Sequence, residues 1–158
     1  MIRDDCGTQL LRYIVPEGSE GLVDATLEGA HLEGAQLAGA NLRGADLYWA
    51  ILFKANLKGA NLEWAVLRGA DLKFADLEDA NLQNADLSRD NVGGGTSLEG
   101  ANLRGTDLRW TKLDGATYDE STSFPAGFDP AGAGMRLTGP NAPSQKRRRR
   151  KGDLTILL

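Results

Sequence analysis

The 158-residue chain has one cysteine, Cys6, and one histidine, His31. A lone cysteine excludes an intrachain disulfide and a cysteine metal cage, and a lone histidine leaves no second imidazole for a ligand set. Nucleophilic catalysis needs a Ser or Cys beside an activating base, and His31 precedes Leu32 at an outward position, away from any such pair. The run "GGG" at 93–95 lacks the lysine of a phosphate loop. No catalytic residue, metal ligand, cofactor or small-molecule substrate is therefore expected, and the chain does not read as an enzyme. Proline is absent from the middle: Pro16, Pro125, Pro130, Pro140 and Pro143 all flank residues 20–120. No apolar run approaches the roughly 20 residues of a membrane span. The start, "MIRDDCGTQLLRYIV", carries acids where a signal peptide is basic. The expectation is a cytoplasmic protein with no membrane span.

What is present is a beat. From Leu27 a Leu, or once Val92, recurs every five residues to position 92, and after one inserted residue the period resumes at Leu98 and ends at Tyr118. Two residues before most of these central positions stands Ala. A period of five advances each Leu by about 140° around a straight α-helix, which spreads the apolar residues over every side. In a straight strand an odd period throws successive Leu onto opposite faces. The period works if the chain bends once per repeat, so that each short extended segment turns its Leu and Ala toward one axis and four bends close a square coil. Nineteen repeats, four to a coil, make just under five coils stacked at about 4.8 Å.

Gly stands two residues after the central position in ten repeats, where a corner asks for positive φ. Asn or Asp often precedes the central residue, as at Asn41, Asp46, Asn61 and Asn81. Those short side chains are suited to bonding nearby backbone or stacking in ladders. Asp90 occupies an inward Ala position, where an ionised carboxylate is costly. The backbone is expected to distort there and let Asp90 reach water or loop amides. Thr106 and Thr111 also replace Ala, and their hydroxyls need backbone carbonyls.

The segments "ANLRGADL", "ANLKGANL" and "ADLEDANLQNADL" resemble the pentapeptide-repeat family, A-(D/N)-L-x-x. That resemblance implies an all-β fold, a right-handed quadrilateral parallel β-helix, with no shared activity attached to it. "TQLLRYIVPEGSEGL" resembles the short helical lead-in of bacterial, especially cyanobacterial, members, and "ATYDESTSFPAGFDP" their terminator. The domain reading is then an N-terminal cap over 1–19 with a short helix through Leu10, Leu11, Tyr13 and Ile14, and a β-helix over 20–120 with a one-residue insertion near 93–97. A C-terminal cap over 121–139 carries Phe124 and Phe128. A basic tail over 140–158 holds six consecutive cations and the apolar end "LTILL".

Residues 20–120 carry a net charge of −8 and residues 121–158 a net of +5. Folding four repeats to a coil gathers Asp76, Glu78, Asp79, Glu99, Asp119 and Glu120 against Lys58 on a third face. It places Tyr48, Trp49 and Trp110 on the first face and Phe53 and Phe74 on the second, around a shared corner, with Trp64 at the next. Exposed aromatics gathered on a rod mark an interface, or else lie flat along their own corners. Two functions follow. One is a rigid protein-interaction scaffold that binds through the aromatic corner Tyr48, Trp49, Phe53, Phe74 and Trp110, with a homodimer through an end or that corner as one form. The other, implied by family members that occupy the DNA site of gyrase, is a nucleic-acid mimic using the acidic stripe. The Arg-rich tail suits an anionic partner, nucleic acid or membrane.

Overall fold

The computed structural model describes residues 2–3, 9–11 and 21–143. Ile2–Arg3 (β1) and Gln9–Leu11 (β2) pair antiparallel. The helix expected through Leu10 and Leu11 is therefore a strand at those two positions, while Tyr13 and Ile14 lie outside the described residues.

From residue 21 to residue 124 the chain is a square coil whose sides are single β-bridges. The bridges run parallel in four columns: Thr26, Asp46, Val66, Asp86 and Lys112 on the first face, and His31, Ile51, Asp71, Ser97 and Thr117 on the second. The third holds Gln36, Asn56, Asp76, Asn102 and Ser123, and the fourth Asn41, Asn61, Asn81 and Asp107. Two hydrogen bonds build each step. Leu32 N–H donates to the Ile51 carbonyl at 2.8 Å, and Ile51 N–H donates back to Ala30 C=O at 2.9 Å. At each corner an i→i+3 bond closes a turn, as from Ala35 N–H to Leu32 C=O at 3.1 Å, with Gly34 at φ 63°. That is the position where a type II turn demands positive φ.

Leu fills the bore because it is the residue that points inward at every side: Leu32, Leu42, Leu52, Leu62, Leu72 and Leu82 have no exposed surface, and of the Ala two residues earlier Ala50, Ala60, Ala70 and Ala80 are buried while Ala30 and Ala40, nearer the N-terminal end, are partly so. Each enclosed Leu contributes about 1.5–3 kcal/mol. Outside, Asn41, Asn61 and Asn81 form a ladder, in which Asn81 Nδ2 donates to Asn61 Oδ1 at 3.3 Å and Asn61 Nδ2 to Asn41 Oδ1 at 3.4 Å. The Oδ1 atoms of Asn61 and Asn81 also accept the N–H two residues on, at 3.1 Å.

The register departs from the simple beat in two places. Leu22 is buried, and its N–H donates to Asn41 C=O at 2.8 Å, so the bore starts one repeat before Leu27. More consequentially, Ile51 pairs with Asp71, twenty residues on, but Asp71 pairs with Ser97, twenty-six residues on. The insertion is thus six residues, 90–95, and a whole repeat is extruded. Val92, expected in the bore, is 78% exposed. The physical reason is Asp90: an inward carboxylate cannot displace Ala in an apolar bore, whereas in a loop it finds amide donors. Leu98 therefore takes the side expected for Val92, and every later residue moves back by one face.

Past Tyr118 the third face receives Ser123, whose carbonyl accepts Leu103 N–H at 2.7 Å. Phe124 stacks on Phe128 at 5.3 Å and meets Tyr118 edge-on at 5.5 Å. Arg136–Leu137 (β4) then lies parallel on Thr117–Tyr118 (β3), extending the second face.

Candidate functional site

The corrected register redistributes the residues of interest. Tyr48 and Trp49 lie in the turn from the first face to the second. Phe53 lies in the turn from second to third, with Phe74 one coil above it. Trp110 is not on the first face: its repeat follows Asp107, which pairs with Asn81, so Trp110 shares the fourth-face corner with Trp64. The six aromatics decorate three corners rather than two. The acidic stripe is divided as well. Asp76, Glu78 and Asp79 remain on the third face, with Lys58 below and Arg104 above, three carboxylates against two cations. Glu99, Asp119 and Glu120 move to the second face, above Phe53 and Phe74. Asp71 and Lys73 also lie on that face, as do Glu33, Lys54 and Arg136, giving five carboxylates and three cations, a net of −2. The second face thus collects apolar groups at mid-length and three carboxylates, Glu99, Asp119 and Glu120, toward the C-terminal end, where Arg136 joins them.

A side chain at a corner lies over the corner residue of the next coil. Where that residue is glycine the fit is close: a Cβ on Gly69 would stand 2.2 Å from Trp49 Cδ1, and one on Gly100 would stand 2.4 Å from Phe74 Cδ1. The Trp49 indole is stacked with Tyr48 at 5.5 Å and 7°, and its Nε1–H donates to Asp90 Oδ2 at 2.7 Å. Asp90 Oδ1 accepts the N–H groups of Val92 at 2.9 Å and Gly94 at 2.7 Å. Burial works to raise the Asp90 pKa, but the bonds from Trp49, Gly94, Val92 and Gly93 together hold it below the ordinary carboxylate value. Asp90 is therefore the hub that turns an extruded repeat into a fixed loop beside Trp49. The sequence showed the misfit of Asp90 at an Ala position, but not its partner 41 residues away.

Phe53 meets Phe74 edge-on at 5.7 Å, and the Lys54 ammonium sits 5.2 Å from the Phe53 ring centre. Trp49, Phe74, Trp64 and Trp110 stay 50%, 53%, 54% and 70% exposed. They do so at φ of 55–61°, where a residue with a Cβ is disfavoured. The acidic residues are partly consumed by structure. Lys58 Nζ donates to Glu78 Oε2 at 2.7 Å, and Asn102 Nδ2 to Asp76 Oδ1 at 2.9 Å. Asp119 Oδ1 accepts Gly100 N–H at 3.0 Å together with the amides and hydroxyls of Ser121 and Thr122. Thr106 and Thr111 donate to the carbonyls of Leu77 and Leu82 at 2.7 and 2.8 Å, which answers the hydroxyls placed among Ala.

His31 is exposed on the second face. Among the described residues no group of three His, Cys, Asp or Glu is placed to hold a metal ion, and no helix is long and apolar enough to cross a membrane. An open cleft of about 560 Å³ lies at the C-terminal end between residues 105–109 and 125–128. The basic run 146–151 lies outside the described residues.

The Pentapeptide repeats family profile matches residues 22–59, 55–89 and 94–117, in eight copies. No curated protein matches the sequence significantly. Among solved structures the chain is similar to the pentapeptide repeat protein alr5209 from Nostoc Pcc 7120, 38% identical over 79% of this chain and 90% of that one, with a TM-score of 0.49. It is also similar to AT2G44920, a pentapeptide repeat protein from the Arabidopsis thaliana thylakoid lumen, 31% identical over 64% of this chain and 65% of that one, TM-score 0.41. QnrB1, a plasmid-mediated fluoroquinolone resistance protein, aligns at 16% identity over 73% of this chain and 66% of that one, TM-score 0.30, too distant to carry its activity across.

Proposed function

Because this chain belongs to the pentapeptide-repeat family, we propose that it is a non-enzymatic rigid scaffold that docks a protein partner on its second face. The observation that carries this reading is the convergence there of exposed apolar groups. Phe74 is exposed on the face beside a half-buried Phe53, Trp49 borders it, and the 90–95 loop projects Val92 from the corner of Trp49. The bore is already closed by Leu and Ala, so these groups are not needed to fill it, and two of them, Trp49 and Phe74, incur backbone cost at positive φ besides exposure. The partner's complementary chemistry is an apolar anchor beside basic groups that meet Glu99, Asp119 and Glu120. We also place the chain in the cytoplasm, although a relative comes from a thylakoid lumen. The nucleic-acid-mimic reading loses the feature behind it, since the acidic residues do not form one stripe.

Affinity capture from the native cell tests this with two double variants, each replacing two aromatics by Ser. Phe53→Ser with Phe74→Ser should abolish recovery of a specific partner while far-UV circular dichroism is unchanged. Trp64→Ser with Trp110→Ser, on the fourth-face corner, should retain it. Equal effects of the two pairs would refute the choice of face.

A further inference from the structure

The corner that leads from the fourth face to the first lies diagonally across the rod from Phe53 and Phe74. It carries Gly44, Trp64, Asn84 and Trp110, one per coil, and the backbone fixes their order: Trp64 N–H donates to Gln83 C=O at 3.0 Å and Asn84 N–H to Arg109 C=O at 3.1 Å. Trp64, Asn84 and Trp110 stand at φ 61°, 58° and 58°, three successive residues with a Cβ in the left-handed region. Glycine holds such turns without strain, as Gly39, Gly59 and Gly105 do on the corner from the third face to the fourth. Strain retained at successive outward positions points to a use for the side chains. Each indole is anchored by the residue before it. Trp64 Nε1–H donates to Glu63 Oε1 at 3.0 Å, and the Arg109 guanidinium sits 5.6 Å from the Trp110 ring centre. The charges are matched locally, Glu63 with Arg43 at 3.4 Å and Arg109 with Asp107 at 2.6 Å. Asn84, between the indoles, is half-buried, and among the described residues its side-chain amide makes no hydrogen bond. The corner therefore presents two aromatic platforms two rungs apart, about 9.6 Å, with an uncommitted amide midway.

Area, charge and spacing select the occupant. Trp64 and Trp110 are 54% and 70% exposed, which for side chains of up to about 250 Å² leaves roughly 300 Å² to cover. A stable dimer needs about 800 Å² per partner, so a short linear ligand suits this corner better than a second copy of the chain. Locally paired charges, on a body whose residues 20–120 carry a net of −8, disfavour a polyanion such as single-stranded nucleic acid. A polyproline II segment matches the spacing: with three residues per turn and a rise near 3.1 Å, its same-side residues recur about every 9.3 Å. It makes no internal hydrogen bonds, so its carbonyls are free to accept from a neighbouring amide. We infer that the Trp64, Asn84 and Trp110 corner binds a proline-rich segment of a partner protein. The segment runs along the rod, with two prolines three residues apart on the two indoles and a carbonyl between them accepting from Asn84 Nδ2. Such segments dock on aromatic surfaces because they are already extended and lose little entropy on binding. This docking surface is separate from the second face, and neither reading depends on the other.

Titration of the full chain with capped alanine peptides that each carry two prolines tests the proposal, the tryptophan indole N–H signals being followed by NMR. With peptide up to about millimolar, the range suited to so small a contact, prolines three apart should shift the Trp64 and Trp110 signals together and leave Trp49 unmoved. Setting the prolines two apart turns them to different sides of the ligand and should weaken binding at least about tenfold. Trp64→Ser should abolish that preference for spacing while far-UV circular dichroism is unchanged. Equal affinity for the two spacings in the unsubstituted protein, or a shift of one indole alone, overturns the proposal. So does a shift of both indoles by a neutral oligosaccharide when neither peptide moves them, because the corner would then be a site for a sugar chain.

Discussion

Replacing Gly69 by Ala separates two costs that glycine usually hides together. Gly69 has φ +70°, and so does its counterpart Gly59 nearly, at +64°. Adding a Cβ in that left-handed region costs about 1–2 kcal/mol at either position. The surroundings differ for a reason visible in the columns. Below Gly59 stands Gly39, and a Cβ on Gly59 would meet nothing within 4 Å; below Gly69 stands Trp49, whose Nε1 would lie 2.3 Å away. Trp49 is half covered, which for a side chain of that size is roughly 100 Å² and, at about 25 cal/mol per Å², an upper bound near 3 kcal/mol if the indole were wholly displaced. The indole re-covers part of that surface when it swings aside. Gly69→Ala is therefore expected to cost about 1–2 kcal/mol more than Gly59→Ala, measured by urea denaturation followed by circular dichroism. In a Trp49→Ala background most of the difference should vanish, since the nearest remaining neighbour of the Cβ is then Asp90 Oδ2 at 3.2 Å. Equal costs for the two single variants would show that the indole does not lie over Gly69, and with it the fixed loop around Asp90 would fall.

Leu62→Ala should cost about 2–5 kcal/mol, as for a fully enclosed core leucine, while Val92→Ala should stay within about 0.5 kcal/mol; a large Val92 effect would restore it to the bore and restore the uniform register. Acid should weaken the C-terminal turn through Asp119. Burial tends to raise its pKa, but the bonds from Ser121, Gly100 and Thr122 hold it below the ordinary value. Its contribution is therefore fully present above the unfolded carboxylate pKa of about 3.9 and is lost as pH falls through the lower folded value. Melting temperatures followed downward from pH 5 should fall more steeply for the unsubstituted chain than for Asp119→Asn; parallel curves would remove Asp119 from the acid response.

Much of this was legible before any coordinates, because a period of five is compatible with so few chain paths. Leu and Ala inward, Gly or Asn at the corner and Asn or Asp before Leu all stand where the spacing puts them. The divided acidic surface and the scattered aromatics were not legible, and one residue explains both. "DNVGGGTSL" can be read as one added residue with Val92 retained, or as a repeat expelled around Asp90. The two readings differ by one face for every residue that follows. Local propensity does not choose between them. The choice depends on whether Asp90 finds donors, and one of these, the Trp49 indole, comes from a different coil.

The sequence by itself determined the repeat, the square cross-section and the identity of the bore, since each follows from side-chain period and backbone geometry within a few residues. Only the tertiary structure decided which outer residues share a face, because stacking order is set by where the chain rejoins the column after the 90–95 loop. That single rejoining brought Glu99, Asp119 and Glu120 above Phe53 and Phe74 and carried Trp110 to the corner of Trp64.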